Sequence, residues 1–151
     1  AFTSNHGWRF SGPSGTQDAA RLVPLIAEMK SLGCRVSLFM DGDSPEIQKV
    51  RELGADRVEL YTEPYAAAFA SGDSDRLEAS LKVYAAAAKR AADAGLGVNA
   101  GHDLNLLNLP LFVQRVKVAE VSIGHALIAD ALEFGMAQTI QSYLKASTPK
   151  K

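Results

Sequence analysis

The sequence predicts an α/β fold of parallel strands and covering helices, curved into a (β/α)8 barrel of which this chain would be the C-terminal arc. Three observations predict it. Strand-like and helix-like runs alternate along the 151 residues, the order that βα units and a parallel sheet require. Four strand-like runs share one pattern: Val36-Ser37-Leu38, Val58-Glu59-Leu60, Val98-Asn99-Ala100 and Val121-Ser122-Ile123. Successive side chains of a strand face opposite ways, so each run offers one apolar face and one that accepts Ser, Asn or Glu. A doubly wound sheet, covered on both faces, reads as near-continuous hydrophobic runs instead. A barrel has a helix-covered outside and a separate interior, and the pattern favours it. Third, four strands cannot close an eight-stranded barrel, which typically takes ~250 residues. The expectation is therefore one domain over residues 1–151, running from the end of a fourth strand through the eighth strand and final helix, with the N-terminal strands absent.

Each element has its own local reasons. The opening AFTSNHGW looks like the last residues of a strand followed by a loop. TQDAARLVPLIAEMKSLG, residues 16–33, reads as a helix with Leu22, Ile26 and Met29 on one face. Gly33 stops it, and Pro24 stands near the first turn or kinks it. Cys34 follows, read as a buried and inert thiol. RVSLFMD is the next strand. In SPEIQKVRELG, Ser44 is the expected N-cap, Pro45 the first helical residue, Ile47, Val50 and Leu53 the apolar stripe, and Gly54 the stop. RVELYTE is a strand. SDRLEASLKVYAAAAKRAADAG carries the clearest helical stripe, Leu77, Leu81, Tyr84 and Ala88, and ends at Gly95. GVNAG and EVSIG are the last two strands, and HALIADALEFGMAQTIQSYLKA closes the chain as one helix.

Composition narrows the function classes. Hydrophobic residues make up 47% and charged residues 22%, with a formal charge of −1. Such a chain has no global field to draw it to nucleic acid or an anionic membrane. No apolar run approaches the ~20 residues of a membrane span, and the start lacks the pattern of a signal peptide. The single cysteine excludes an internal disulfide and suits a reducing compartment, so a cytoplasmic location is expected. The three histidines stand near no carboxylate at metal-motif spacing, and one Cys makes no thiolate zinc site. These residues give no metal motif. GxGxxG and P-loop patterns are absent.

In barrels, chemistry collects where strands end and helices begin. Those points hold Thr3, Ser4, Asp41, Thr62, Glu63, His102, Asp103, Gly124 and His125. Gly124-His125 opens the final helix, where glycine admits a ligand to the backbone and unpaired N–H groups favour an anion. A tight strand-to-helix turn explains the same glycine. His102 suits a general acid or base, or a histidine satisfied by backbone bonds. Asp103 is expected to cap a helix begun by LNLLNL. His6 lies in a Gly/Ser/Asn-rich loop beside Trp8, as part of a lid or simply exposed. Glu59 is the odd residue, a mid-strand carboxylate that is costly to bury unless paired or protonated. It either pairs with a basic neighbour or organises an acid–base network.

The stretches RVSLFMDGD, GADRVELYTEPYA, GLGVNAGHDLN and VSIGHALIADALEFGM span nearly the whole chain. In this order and spacing they resemble the pyridoxine 5′-phosphate synthase family of vitamin B6 biosynthesis. The resemblance implies a (β/α)8, or TIM, barrel with extra helices, assembled as a homo-octamer. It implies condensation of 3-amino-2-oxopropyl phosphate with 1-deoxy-D-xylulose 5-phosphate into pyridoxine 5′-phosphate, phosphate and water, without a cofactor. His102 matches the family's proton donor and Glu59 its transition-state-stabilising carboxylate. Thr3, Asp103, Gly124 and His125 match substrate and product contacts. Position 103 is often glycine in the family, so the Asp103 carboxylate must point away from a phosphate. The family's other histidine and glutamate bases and its substrate-binding arginines belong to earlier strands, so this chain would hold about half of an active site. The alternatives are another phosphate-binding barrel enzyme, such as an isomerase or aldolase, and a non-catalytic α/β ligand-binding module.

Overall fold

The computed structural model describes residues 8–10 and 12–148. Its elements follow the expected alternation: α1 Gly12–Ser31, β1 Ser37–Asp41, α2 Lys49–Glu52, β2 Arg57–Tyr61, α3 Glu63–Ala70, α4 Ser74–Asp93, β3 Gly97–Gly101, α5 Leu109–Arg115, β4 Glu120–Ser122, α6 His125–Phe134 and α7 Met136–Ala146. The strands form one parallel sheet in the order β1-β2-β3-β4. A doubly wound sheet reverses its strand order at a switch point. Here chain order and spatial order coincide, as in an arc of a (β/α)8 barrel.

The two sheet faces differ as the alternation requires. Leu38, Met40, Val58, Leu60, Val98 and Ala100 are all buried, in one core with Leu22 and Ile26 of α1, Val50 of α2, Tyr65 of α3, Leu81 and Tyr84 of α4 and Phe112 of α5. The register places Phe39, Glu59, Asn99 and Glu120 in one row of the opposite face, and Asp41, Tyr61, Gly101 and Ser122 in the next. Toward the N-terminal ends, Arg57 Nη1 lies 2.9 Å from Asn99 Oδ1 and 3.3 Å from Glu120 Oε1. Arg35 joins Glu120 from outside at 2.9 Å.

Several local expectations need correction. Met29 is 42% exposed, so the buried face of α1 rests on Leu22 and Ile26. The helix also begins earlier than expected, which puts Pro24 well inside it. Cys34 is exposed: it is the residue just after the Gly33 turn, and its N–H reaches back to the Met29 carbonyl. The helix expected from Pro45 winds first through i→i−3 bonds, Lys49 to Glu46 and Val50 to Ile47, and becomes α only over Lys49–Glu52. The Glu46 carboxylate accepts the Phe10 N–H at 2.7 Å, a tertiary contact that fixes this tighter turn. α3 was not foreseen; its EPYAAAFA has no sharp apolar stripe. The final helix breaks into α6 and α7 at Gly135, whose φ of +82° no helix accommodates.

Candidate active site

The site is built on the C-terminal ends of β2, β3 and β4. β2 aims Glu59 to the face away from the helices. Its carboxylate leans one row further along the sheet: a Cβ built on Gly101 would meet Glu59 Oε1 at 2.5 Å and Ser122 Cβ at 3.1 Å. Glycine at 101 is thus the space the carboxylate occupies. Among the described residues Glu59 forms no ion pair, because the nearest strand arginine, Arg57, is engaged by Asn99 and Glu120. The pairing explanation for this mid-strand carboxylate does not hold among those residues.

His102 follows Gly101 directly and has φ +86°, with Asp103 at +58°. Two consecutive non-glycine residues in this region are uncommon, and such strain concentrates where geometry serves a function. The turn folds the imidazole back over the sheet face. Its ring centre lies 4.9 Å from that of Phe39 and 5.0 Å from that of Tyr61, which are themselves 5.4 Å apart. The imidazole remains exposed, standing on two aromatic rings with its nitrogens free to reach solvent or a ligand.

Asp103 does not cap a helix. That work falls to Asn105, whose Oδ1 accepts the Leu107 and Asn108 N–H groups at 2.9 and 3.1 Å. The Asp103 carboxylate instead lies 3.5 Å from His125 Nε2, across the strand ends from β3 to the start of α6, so it does not point away from this rim as the resemblance implied. His102, Asp103, Gly124 and His125 therefore share one rim. Gly124 stands open, with no atom within 4 Å of where a Cβ would be. Beside it runs a cleft of about 560 Å³ lined by Glu63, Phe69, Asp103, Asn105 and His125, among others.

Burial raises the Tyr61 phenol above its ordinary pKa, and the charges of Glu63, Asp103 and Asp41 push the same way. Tyr61 is therefore a neutral hydrogen-bond donor at physiological pH. Two buried phenols brace the rim from behind: Tyr84 donates to the Tyr61 carbonyl at 2.5 Å, and Tyr65 to the Asn108 carbonyl at 2.7 Å. Burial pushes the Tyr65 phenol up to about 12, so it too keeps its proton.

Thr3, Ser4 and His6 lie outside the described residues. Of the other residues singled out in sequence, Glu59 is brought to Gly101 and the His102 turn, and Asp103 to His125. Phe39 and Tyr61, the floor under His102, were missed, although Tyr61 stands two residues from Glu59 and must share its face. Asn108 was missed as well. No group of three or more His, Cys, Asp and Glu side chains converges to hold a metal ion among the described residues. No helix among them is long and apolar enough to cross a membrane.

With this rim in place, comparison with known proteins is decisive. Residues 1–148 match the family model described as pyridoxal phosphate biosynthesis protein PdxJ. The chain belongs to this family. Among PdxJ-type relatives, it is similar to the pyridoxine 5′-phosphate synthase of Albidiferax ferrireducens, 56% identical over 145 residues, covering 95% of this chain and 54% of that protein. The synthase of that name from Xanthomonas campestris pv. campestris is 54% identical over 143 residues, covering 94% of this chain and 53% of the relative. That from Xanthomonas axonopodis pv. citri is 50% identical over the same length. The chain spans about half the length of these curated relatives.

Proposed function

We propose that the protein is a pyridoxine 5′-phosphate synthase, condensing 3-amino-2-oxopropyl phosphate with 1-deoxy-D-xylulose 5-phosphate without metal or organic cofactor. The observation that carries this reading is the His102 imidazole, turned by a strained backbone onto Phe39 and Tyr61 at the rim where Glu59 leans over Gly101. Ring formation proceeds through an imine, loss of water, loss of phosphate and closure, and each step moves a proton. His102 is the proton donor. The Glu59 carboxylate stabilises positive charge that develops on the reacting nitrogen, acting in a partly enclosed face where charge is felt strongly. Gly124 and His125 grip a phosphate through backbone N–H groups at the start of α6, which glycine leaves accessible. Asp103 contributes its backbone to the same contact, while its carboxylate faces the His125 ring. Thr3 completes the substrate contacts.

The rest of the barrel fits the apolar surfaces that remain uncovered. Val23, Leu25, Met29 and Leu32 are exposed at α1, at one end of the arc. Ile128, Leu132, Phe134, Met136, Ile140 and Leu144 are exposed on and between α6 and α7, at the other. Exposed apolar residues grouped on the outer helices in this way support an interface there. In this reading, further βα units close against both ends and bring the remaining bases and arginines. The reading extends to a transferase-type enzyme of the cytoplasm, assembled as a homo-octamer.

Incubating the full-length protein with both phosphorylated substrates and following the pyridine absorption of the product tests the proposal. Product is expected, and His102→Ala should reduce its formation by about 10²–10⁴-fold with the circular-dichroism spectrum unchanged. Absence of product from the unaltered protein, or undiminished turnover by the variant, refutes it.

A further inference from the structure

We infer that Thr62 and Asn108 form a backbone clamp that sets the His102 imidazole in its working position. Both residues occupy N-cap positions, Thr62 before α3 and Asn108 before α5, where Thr and Asn ordinarily accept a helix N–H. Neither makes a side-chain cap bond. Both are buried, at 0% and 2% exposure, so their polar atoms must be satisfied elsewhere. The place is the strained dipeptide. Thr62 Oγ1 lies 2.7 Å from the Gly101 carbonyl and 2.5 Å from the His102 carbonyl, its single O–H shared between them. Asn108 Nδ2 donates to the Asp103 carbonyl at 3.0 Å, while Asn108 Oδ1 accepts the Asn105 N–H at 2.9 Å.

Each carbonyl of the strained pair is thus held by a side chain diverted from capping. A positive φ at a non-glycine residue costs about 1–2 kcal/mol and persists only where its surroundings determine it. Without the clamp the His102 peptide relaxes, and the ring leaves Phe39 and Tyr61. Thr62 and Asn108 are positioning residues: they touch the backbone that carries the proton donor.

The inference rests on the synthase reading for its kinetic consequence alone. In the full-length enzyme, Thr62→Val keeps the shape and removes the O–H, and Thr62→Ser restores it. The His102 Cε1–H signal, shifted by the two neighbouring rings, reports the position of the imidazole by ¹H–¹³C NMR whether or not turnover occurs. In Thr62→Val that signal should move toward its free-imidazole position. The value of kcat should fall by about 100-fold while KM stays within about two-fold. Thr62→Ser should keep both near the unaltered enzyme. Should Thr62→Val fail to fold, Thr62→Ala, which removes the hydroxyl without setting a methyl against the two carbonyls, gives the same reading. An unmoved signal in the variant lacking the hydroxyl overturns the clamp, as does unchanged kcat in an active enzyme. A signal that follows the hydroxyl in a protein that makes no product upholds the clamp and refutes the synthase reading.

Discussion

The two ends of the sheet solve the same geometric problem with different residues. At the N-terminal ends the chain must leave a helix and enter a strand, and it does so three times on glycine. Gly33, Gly54 and Gly95 have φ of +78°, +93° and +75°. After each, the next residue's N–H returns to the helix: Cys34 to Met29, Ala55 to Val50 and Leu96 to Ala91. At the C-terminal ends the positive φ values fall on His102 and Asp103. Glycine serves where only direction matters. In the synthase reading, a strained side chain stands where the side chain itself is needed, which is the division of stability and function expected across a barrel. On that reading the difference teaches that strain can mark the working end before any ligand is seen.

The largest test of this division is Gly101→Ala. Here glycine is at the functional end for space. The added methyl would meet Glu59 Oε1 at 2.5 Å and Ser122 at 3.1 Å for Cβ and 3.4 Å for the backbone oxygen. The carboxylate can swing away, but Ser122 Cβ must give by a few tenths of an ångström. A loss of about 1–3 kcal/mol in urea unfolding is expected, with turnover falling about 100-fold as Glu59 is displaced. Full turnover would show that the lean of Glu59 over Gly101 has no part in the reaction.

Much of this was legible in the sequence because it is local. The strand pattern around Ser37, Glu59, Asn99 and Ser122, and the glycine stops at 33, 54 and 95, depend on near neighbours and emerged as expected. The break at Gly135 was also written there, since a glycine inside a helix costs about 1 kcal/mol relative to alanine; a strong apolar pattern on both sides hid it. Glu59 stood out because a carboxylate in a strand contradicts its surroundings. The clamp was illegible for the opposite reason. Thr62 and Asn108 look like ordinary caps, and what they hold is decided by tertiary contact; Thr62 meets a carbonyl 40 residues away. Asp103 misled in the same way, with Asn105 supplying the bonds expected of it.

The N-terminal end makes its own prediction, in stability alone. Asp56 accepts Lys30 Nζ at 2.5 Å and the Val36 N–H at 3.0 Å, tying α1 and the start of β1 to the turn before β2. The Lys30 bond, followed by that from Val36, lowers the Asp56 pKa below its ordinary 3.8. A carboxylate with a depressed folded pKa stabilises above its unfolded value, and the contribution is lost as pH falls through the folded value. Asp56→Asn should therefore cost about 1.5 kcal/mol at pH 7, a modest figure because solvent screens the lysine. The gap from the unaltered protein should close in acid below pH 3.8. Urea midpoints across that range measure it, and His102 chemistry should be untouched. A gap that persists in acid would mean that packing, not charge, holds this corner.

The smallest effect is the most direct comparison of the two ends, and it pairs two substitutions. Gly95→Ala places a methyl where no atom lies within 4 Å, so its only cost is the backbone conformation, about 1 kcal/mol. Asp103→Gly removes a side chain from the same kind of conformation at the other end. The carboxylate it deletes is 40% exposed and faces a His125 ring that is 80% exposed, an arrangement worth little in water. Relief of strain should then outweigh the lost contact and the added freedom of the unfolded chain, giving a gain of about 0.5 kcal/mol. Opposite shifts of the urea midpoint are expected from the two variants. If Asp103→Gly also destabilises, the bond from Asn108 to the Asp103 carbonyl makes the positive φ a favoured state of this loop, and strain would then belong to His102 alone.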